Sequence, residues 1–85
     1  MNDIEAVAAS LRDVRFPTGS EQYLSTITGQ GRWSLTVSVV GDAENRYARF
    51  VWAPEVGWTR KGTPVDLETA VRVWWQHQTG LGVGE

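Results

Sequence analysis

Apolar and polar positions along this chain change period several times, and each change marks an element. Ile4, Val7, Ala8, Leu11 and Val14 fall on one helical stripe behind Asn2 or Asp3 as N-cap, which predicts a helix from about residue 3 to 15. Phe16-Pro17-Thr18-Gly19-Ser20 breaks it, because proline disfavours helix in the residue before it. Residues 21 to 28 are rich in β-formers (Tyr23, Leu24, Thr26, Ile27, Thr28) and are closed by Gly29-Gln30-Gly31, so they read as a first strand. Strict alternation follows. Trp33, Leu35, Val37 and Val39 interleave with Ser34, Thr36 and Ser38, the pattern of a strand with one buried and one wet face.

After a turn at Gly41-Asp42-Ala43-Glu44-Asn45, Ala48, Phe50 and Trp52 alternate with Tyr47, Arg49 and Val51 in a third strand, Arg46 to Ala53. Matching the apolar faces places Val39 opposite Ala48, Val37 opposite Phe50 and Leu35 opposite Trp52. Pro54-Glu55-Val56-Gly57 signals a turn, and Trp58-Thr59-Arg60-Lys61 reads as a short fourth strand. A loop of two or four residues pairs Ala53 with Trp58 and Val51 with Arg60, which puts Trp58 on the wet face with Tyr47, Arg49 and Val51. Thr63 as N-cap, Pro64 at the first helical position and Asp66 at the capping-box position open the last helix. Its stripe is Leu67, Ala70, Val71, Trp74 and Gln78 with Trp75 beside it, and Thr79-Gly80 stops it.

The expected fold is therefore α+β: one domain over residues 1–80 in the order α-β-β-β-(β)-α, an antiparallel sheet of three or four strands with both helices on one face. Residues 81–85 are expected to fray as a glycine-rich tail. The expected core is Val7, Leu11, Leu35, Val37, Phe50, Trp52, Leu67, Val71 and Trp74.

Composition narrows the chemistry. The 85 residues hold five tryptophans, one histidine and no cysteine, so large aromatics take the place of cross-links and neither a thiolate zinc site nor thiol chemistry is available. An acidic start, Met1-Asn2-Asp3-Ile4-Glu5, and the lack of a membrane-length apolar run point to a soluble, cytoplasmic protein. The net charge of −2 is unevenly spread: residues 30–62 carry an excess of two positive charges, and the segments 1–22 and 63–85 each carry an excess of two negative charges.

Candidate catalytic groups are few. His77 falls in the last helical turn, where a cation complements the helix dipole. Asp3, Asp42, Glu44, Asp66 and Glu68 all fall at helix starts or turns that capping or solvation explains. Gly29-Gln30-Gly31 lies between two strands, out of context for a phosphate loop. These features predict no catalytic site, metal or cofactor. What remains is the wet sheet face of Ser34, Thr36, Ser38, Tyr47, Arg49, Val51, Trp58 and Arg60, whose Tyr, Trp and Arg are residue types enriched at binding hot spots. Tyr47, Arg49, Val51, Trp58 and Arg60 are the candidate partner-binding residues.

The order helix, three strands, helix resembles the double-stranded-RNA-binding domain, and that resemblance implies recognition of RNA shape and phosphates. The family's basic cluster at the start of the second helix is replaced here by Gly62-Thr63-Pro64-Val65-Asp66-Leu67-Glu68, with only Arg60 and Lys61 before it. The strand pair turning at Gly41-Asp42 and the C-terminal helix ending in Thr79-Gly80 are also similar to small bacterial immunity proteins and phage-encoded inhibitors. Two expectations follow. The first is a non-enzymatic protein-binding module, an inhibitor, immunity factor or adaptor that masks a partner's surface, with homodimerisation left open. The alternative is nucleic-acid binding.

Overall fold

A computed structural model describes residues 3–27 and 31–80. Seven elements follow one another: α1 (Asp3–Leu11), β1 (Ser20–Ile27), β2 (Arg32–Val39), β3 (Tyr47–Ala53), β4 (Gly57–Arg60), β5 (Thr63–Pro64) and α2 (Leu67–Thr79). The strands form a single antiparallel sheet in the order β1-β2-β3-β4-β5, every neighbour in sequence also a neighbour in space. Val7 of α1 and Leu67, Val71, Trp74 and Trp75 of α2 pack with Leu35, Val37, Phe50, Trp52 and Trp58 in one cluster, so both helices cover the same sheet face. The α+β class and the element order agree with the sequence pattern, with a fifth strand added. Thr28, Gly29, Gln30, the Asn2 cap and the tail at 81–85 lie outside the described residues.

Eight of the nine expected core residues are buried, and Leu11 packs against the cluster half-buried. Helix α1 ends at Leu11, four residues short of the expected 15. From there the chain closes short turns, Arg12 N to Ala9 O and Val14 N to Leu11 O, and the Arg15 N–H reaches Glu68 Oε1 of α2 at 2.9 Å. Beyond those turns Val14 and Phe16 both pack against the core.

The second helix starts three residues later than its cap signals suggest. Asp66 is the N-cap: its carboxylate accepts from the Thr69 N–H at 3.2 Å and from Thr69 Oγ1 at 2.6 Å. Thr63-Pro64 is strand β5, paired as Arg60↔Thr63 and Thr59↔Pro64. Proline is tolerated there because β5 is an edge strand and needs no outward donor. Two residues, Lys61 and Gly62, join β4 to β5, and both have positive φ (52° and 82°), as a type I′ hairpin requires. At the other end of α2, Gly80 takes the left-handed conformation and its N–H bonds Gln76 O at 2.8 Å, which is the stop that Thr79-Gly80 suggests.

Between β2 and β3 the apolar faces match as expected, but the register differs by two residues: Val37 faces Ala48, Leu35 faces Phe50 and Trp33 faces Trp52. Asp42 is the cause. Its carboxylate accepts from the Arg46 N–H (2.9 Å) and Nε (2.8 Å) on one oxygen and from Arg46 Nη2 (3.2 Å) and the Glu44 N–H (3.2 Å) on the other. This pulls Arg46 back beside Val39, whose N–H bonds Arg46 O, while Arg46 Nη1 reaches Gln78 O at the C-terminal end of α2.

Candidate functional site

The face of the sheet away from the helices carries three rows of side chains across the strands. Glu21, Ser38 and Tyr47 form one row; Tyr23, Thr36 and Arg49 the next; Ser25, Ser34, Val51 and Thr59 the third. Tyr47 and Tyr23 are the exposed aromatics, at 61% and 68%. Arg49 lies over the sheet and donates from Nε to Ser34 Oγ at 2.9 Å, which explains how a serine on this open face is itself buried. Tyr23 received no role from the sequence. Residues 21–26 show no apolar and polar alternation, and the one cue is Leu24, whose place on the core side turns its neighbour Tyr23 to the open face.

Trp58 is not part of this surface. Ala53 faces Gly57, Trp52 faces Trp58 and Val51 faces Thr59, so the β3–β4 loop holds three residues, Pro54 to Val56, and not the two or four expected. An odd loop shifts parity by one. It turns Trp58 into the core, 7% exposed, with its Nε1–H donated to Ser10 Oγ of α1 at 2.9 Å. Gly57, at φ +74°, supplies the left-handed backbone that lets the strand absorb this step. Arg60 moves with Trp58: it lies on the helix side, its guanidinium carbon 5.8 Å from the centre of the Phe50 ring. Both placements correct the sequence reading, which set the two residues on the wet face.

The structure nevertheless gathers Tyr47, Arg49, Val51 and Arg60 around one feature, a notch of about 470 Å³ at the sheet edge, also lined by Ala48, Thr59, Lys61 and Gly62. Its origin is the tight β4–β5 turn. Strand β4 pairs with β3 only as far as Val51, and then Lys61 and Gly62 carry the chain away. In an antiparallel ladder, alternate residues turn their N–H and C=O to opposite sides. Arg46 O accepts from Val39 N, so the even residues of β3 bond β2 and the odd ones face β4. Val51 and Ala53 meet Thr59 and Gly57 there, whereas Tyr47 and Arg49 meet no strand among the described residues. Because the gap is an edge, its lining comes from both faces: Tyr47, Arg49, Val51 and Thr59 from the open side, Ala48 and Arg60 from the helix side.

The charge around the notch is one-sided. Arg49, Arg60 and Lys61 line it and, among the described residues, no carboxylate does. Asp66 lies beyond Arg60 in a separate groove of about 330 Å³ with Val65, Thr69, Ala70 and Val73, and is engaged with Thr69. Thr69 holds the Asp66 carboxyl below its usual range through its hydroxyl and then its N–H. Among the described residues no three His, Asp or Glu side chains converge as metal ligands would, and His77 is exposed in the last turn of α2. No helix of the described residues is long and apolar enough to cross a membrane.

No protein-family model, no curated protein and no solved structure matches this chain.

Proposed function

We propose that the chain is a non-enzymatic, cytoplasmic protein-binding module that acts by masking a partner's surface, in the manner of an inhibitor, immunity factor or adaptor. One observation carries the reading: the edge of β3 where Tyr47, Arg49, Val51 and Arg60 meet around an open notch. Tyr47 offers an exposed, rigid aromatic, Arg49 and Arg60 offer ionic partners, and the backbone of Tyr47 and Arg49 faces no strand among the described residues. Trp58, turned into the core, is dropped from the contact set. Nucleic-acid binding remains the second reading, favoured by the three cations at the notch.

Affinity capture from the native host tests the proposal, with the wild-type chain and a Tyr47→Ala/Arg49→Glu variant immobilised side by side. A protein retained by the first and lost from the second, and reconstituting with the purified chain in the absence of nucleic acid, supports it. Retention of nucleic acid alone, with binding that falls steeply as salt rises, favours the second reading. A protein partner held equally by both forms counts against this surface.

A further inference from the structure

We propose that the notch beside β3 takes an extended, acidic peptide segment as an added strand, aligned with the line that β4 abandons at Lys61. The inference rests on the protein-binding reading and specifies the partner's conformation and charge. Three observations on one stretch of edge support it. Tyr47 and Arg49 direct their backbone N–H and C=O outward with no strand opposite among the described residues, so a segment of about three residues placed there can complete up to about four backbone hydrogen bonds. The turn at Lys61-Gly62, with positive φ at both residues, keeps β4 from filling the position itself. Among the described residues Arg49, Arg60 and Lys61 surround it without a carboxylate, which selects an acidic segment over a basic one.

Side chains of an added strand would alternate between the two faces. On the open side they meet Arg49 and Tyr47, the natural place for a carboxylate and an apolar stem. On the helix side they meet Ala48 and Arg60, and Arg60 is shared with the neighbouring groove of Val65, Ala70 and the exposed Val73. The segment that fits therefore carries acidic residues and small aliphatic residues in alternation.

The other long edge, β1, lacks this selectivity. Among the described residues no strand pairs with its outer side along Ser20 to Ile27, and it carries one charge, Glu21. Strand addition there would show no preference for acidic peptides, and that difference lets one experiment tell the edges apart.

The probe is a capped eight-residue peptide alternating glutamate and valine, titrated into the intact 15N-labelled chain. Two controls accompany it: the same peptide with lysine for glutamate, and the same peptide with alternate backbone amides N-methylated. The expected result is saturable shifts centred on Tyr47, Ala48, Arg49 and Lys61, slowed amide exchange at Tyr47 and Arg49, and no binding of the lysine peptide. The N-methylated peptide keeps the charge but lacks the donors, so it should bind about tenfold more weakly or worse. Arg49→Pro removes an outward N–H without breaking a bond to β2 and should abolish docking. Should that variant fail to fold, the N-methylated peptide on the wild-type chain probes the same backbone hydrogen bonds from the ligand's side.

Equal binding of the N-methylated peptide, or shifts that fall on Ser20 to Ile27, overturns strand addition at the notch. A captured partner that is lost from the Tyr47→Ala/Arg49→Glu variant, combined with peptides that leave both amides unprotected, sinks strand addition alone. A partner retained by that variant sinks the surface reading and this inference with it.

Discussion

The hairpins β2–β3 and β3–β4 share a strand but are closed by different means. A single carboxylate closes the first: Asp42 gathers the Arg46 guanidinium and two backbone N–H groups and links the turn, through Arg46, to the end of α2. Backbone geometry closes the second: three residues, a turn bond from Val56 N to Ala53 O at 3.3 Å, and a left-handed Gly57. A side-chain hub can slide register by two residues without changing which face is buried. An odd backbone loop changes the face, and with it the fate of a tryptophan.

The largest effect should come from removing that tryptophan. Trp58→Ala leaves a cavity beside Trp52, its partner across β3–β4, and orphans the Ser10 contact. A loss of about 3–5 kcal/mol is expected, matching Trp52→Ala and severe for a domain of ordinary stability. Urea melts of the two variants measure it, and a loss below about 1 kcal/mol for Trp58→Ala alone would put the indole back on the surface.

Deleting Glu55 attacks the loop itself. With two residues left between Ala53 and Gly57, either the pairing slips and Trp58 turns outward or the strand buckles to keep it inside. Either outcome should cost about 2 kcal/mol or more, most of it lost packing. Tryptophan fluorescence distinguishes them, because an outward Trp58 shifts emission to the red. Gly57→Ala keeps the length and tests the conformation alone. An added Cβ there meets nothing within 4 Å, so the expected cost, about 1–2 kcal/mol, is the backbone penalty of a left-handed alanine. A neutral outcome would show that the loop tolerates another backbone path.

These two hairpins also show which parts of the fold were legible in the sequence. Alternation over Trp33–Val39 and Ala48–Trp52 specifies faces, and the faces came out right, because a residue on the wrong side would bury Arg49 or expose Phe50. Alternation is blind to a shift of two, which Asp42 imposes through hydrogen bonds that a string of residues does not display. It is equally blind to loop parity. Pro54-Glu55-Val56-Gly57 contains a turn signal but no count of which residues lie outside the ladder, so Trp58 and Arg60 were set on the wrong face. Thr63-Pro64-Val65-Asp66 satisfied the rules for a helix start while serving as β5 and its exit. Lys61-Gly62 was the missed cue: a two-residue turn ending in glycine, whose consequence is the notch.

Acid should loosen the first hairpin and spare the second. The Arg46 side chain, then the Arg46 N–H, holds the Asp42 carboxyl far below its ordinary value, against the opposing effect of burial. A carboxyl whose folded-state pKa is depressed contributes stability that is present above its unfolded value, near 3.8, and is lost as pH falls through the folded value. The wild-type urea midpoint should therefore drop between about pH 5 and pH 2 more than that of Asp42→Asn, which has no such carboxyl to protonate. Gly57→Ala, altered only in the second hairpin, should track the wild type in slope. Parallel pH profiles for wild type and Asp42→Asn would show that the hub adds nothing to stability.

The smallest effect on folding belongs to the edge that the two hairpins leave open between them. Tyr47 is exposed, and Arg49 spends one hydrogen bond on Ser34, itself on the open face, so neither side chain supports the core that Phe50 and Trp52 build one residue away. Tyr47→Ala should change stability by no more than about 0.5 kcal/mol, and Arg49→Ala by little more, through the loss of cover over Ser34. The first half of β3 is therefore divided by parity: its even residues, Ala48 and Phe50, are committed to the core, and its odd residues, Tyr47 and Arg49, lie on the exposed side. Melting both alanine variants beside Phe50→Ala measures that division directly. A loss approaching that of Phe50→Ala at either odd position would mean the open edge is part of the scaffold, and a substitution there could no longer separate binding from folding.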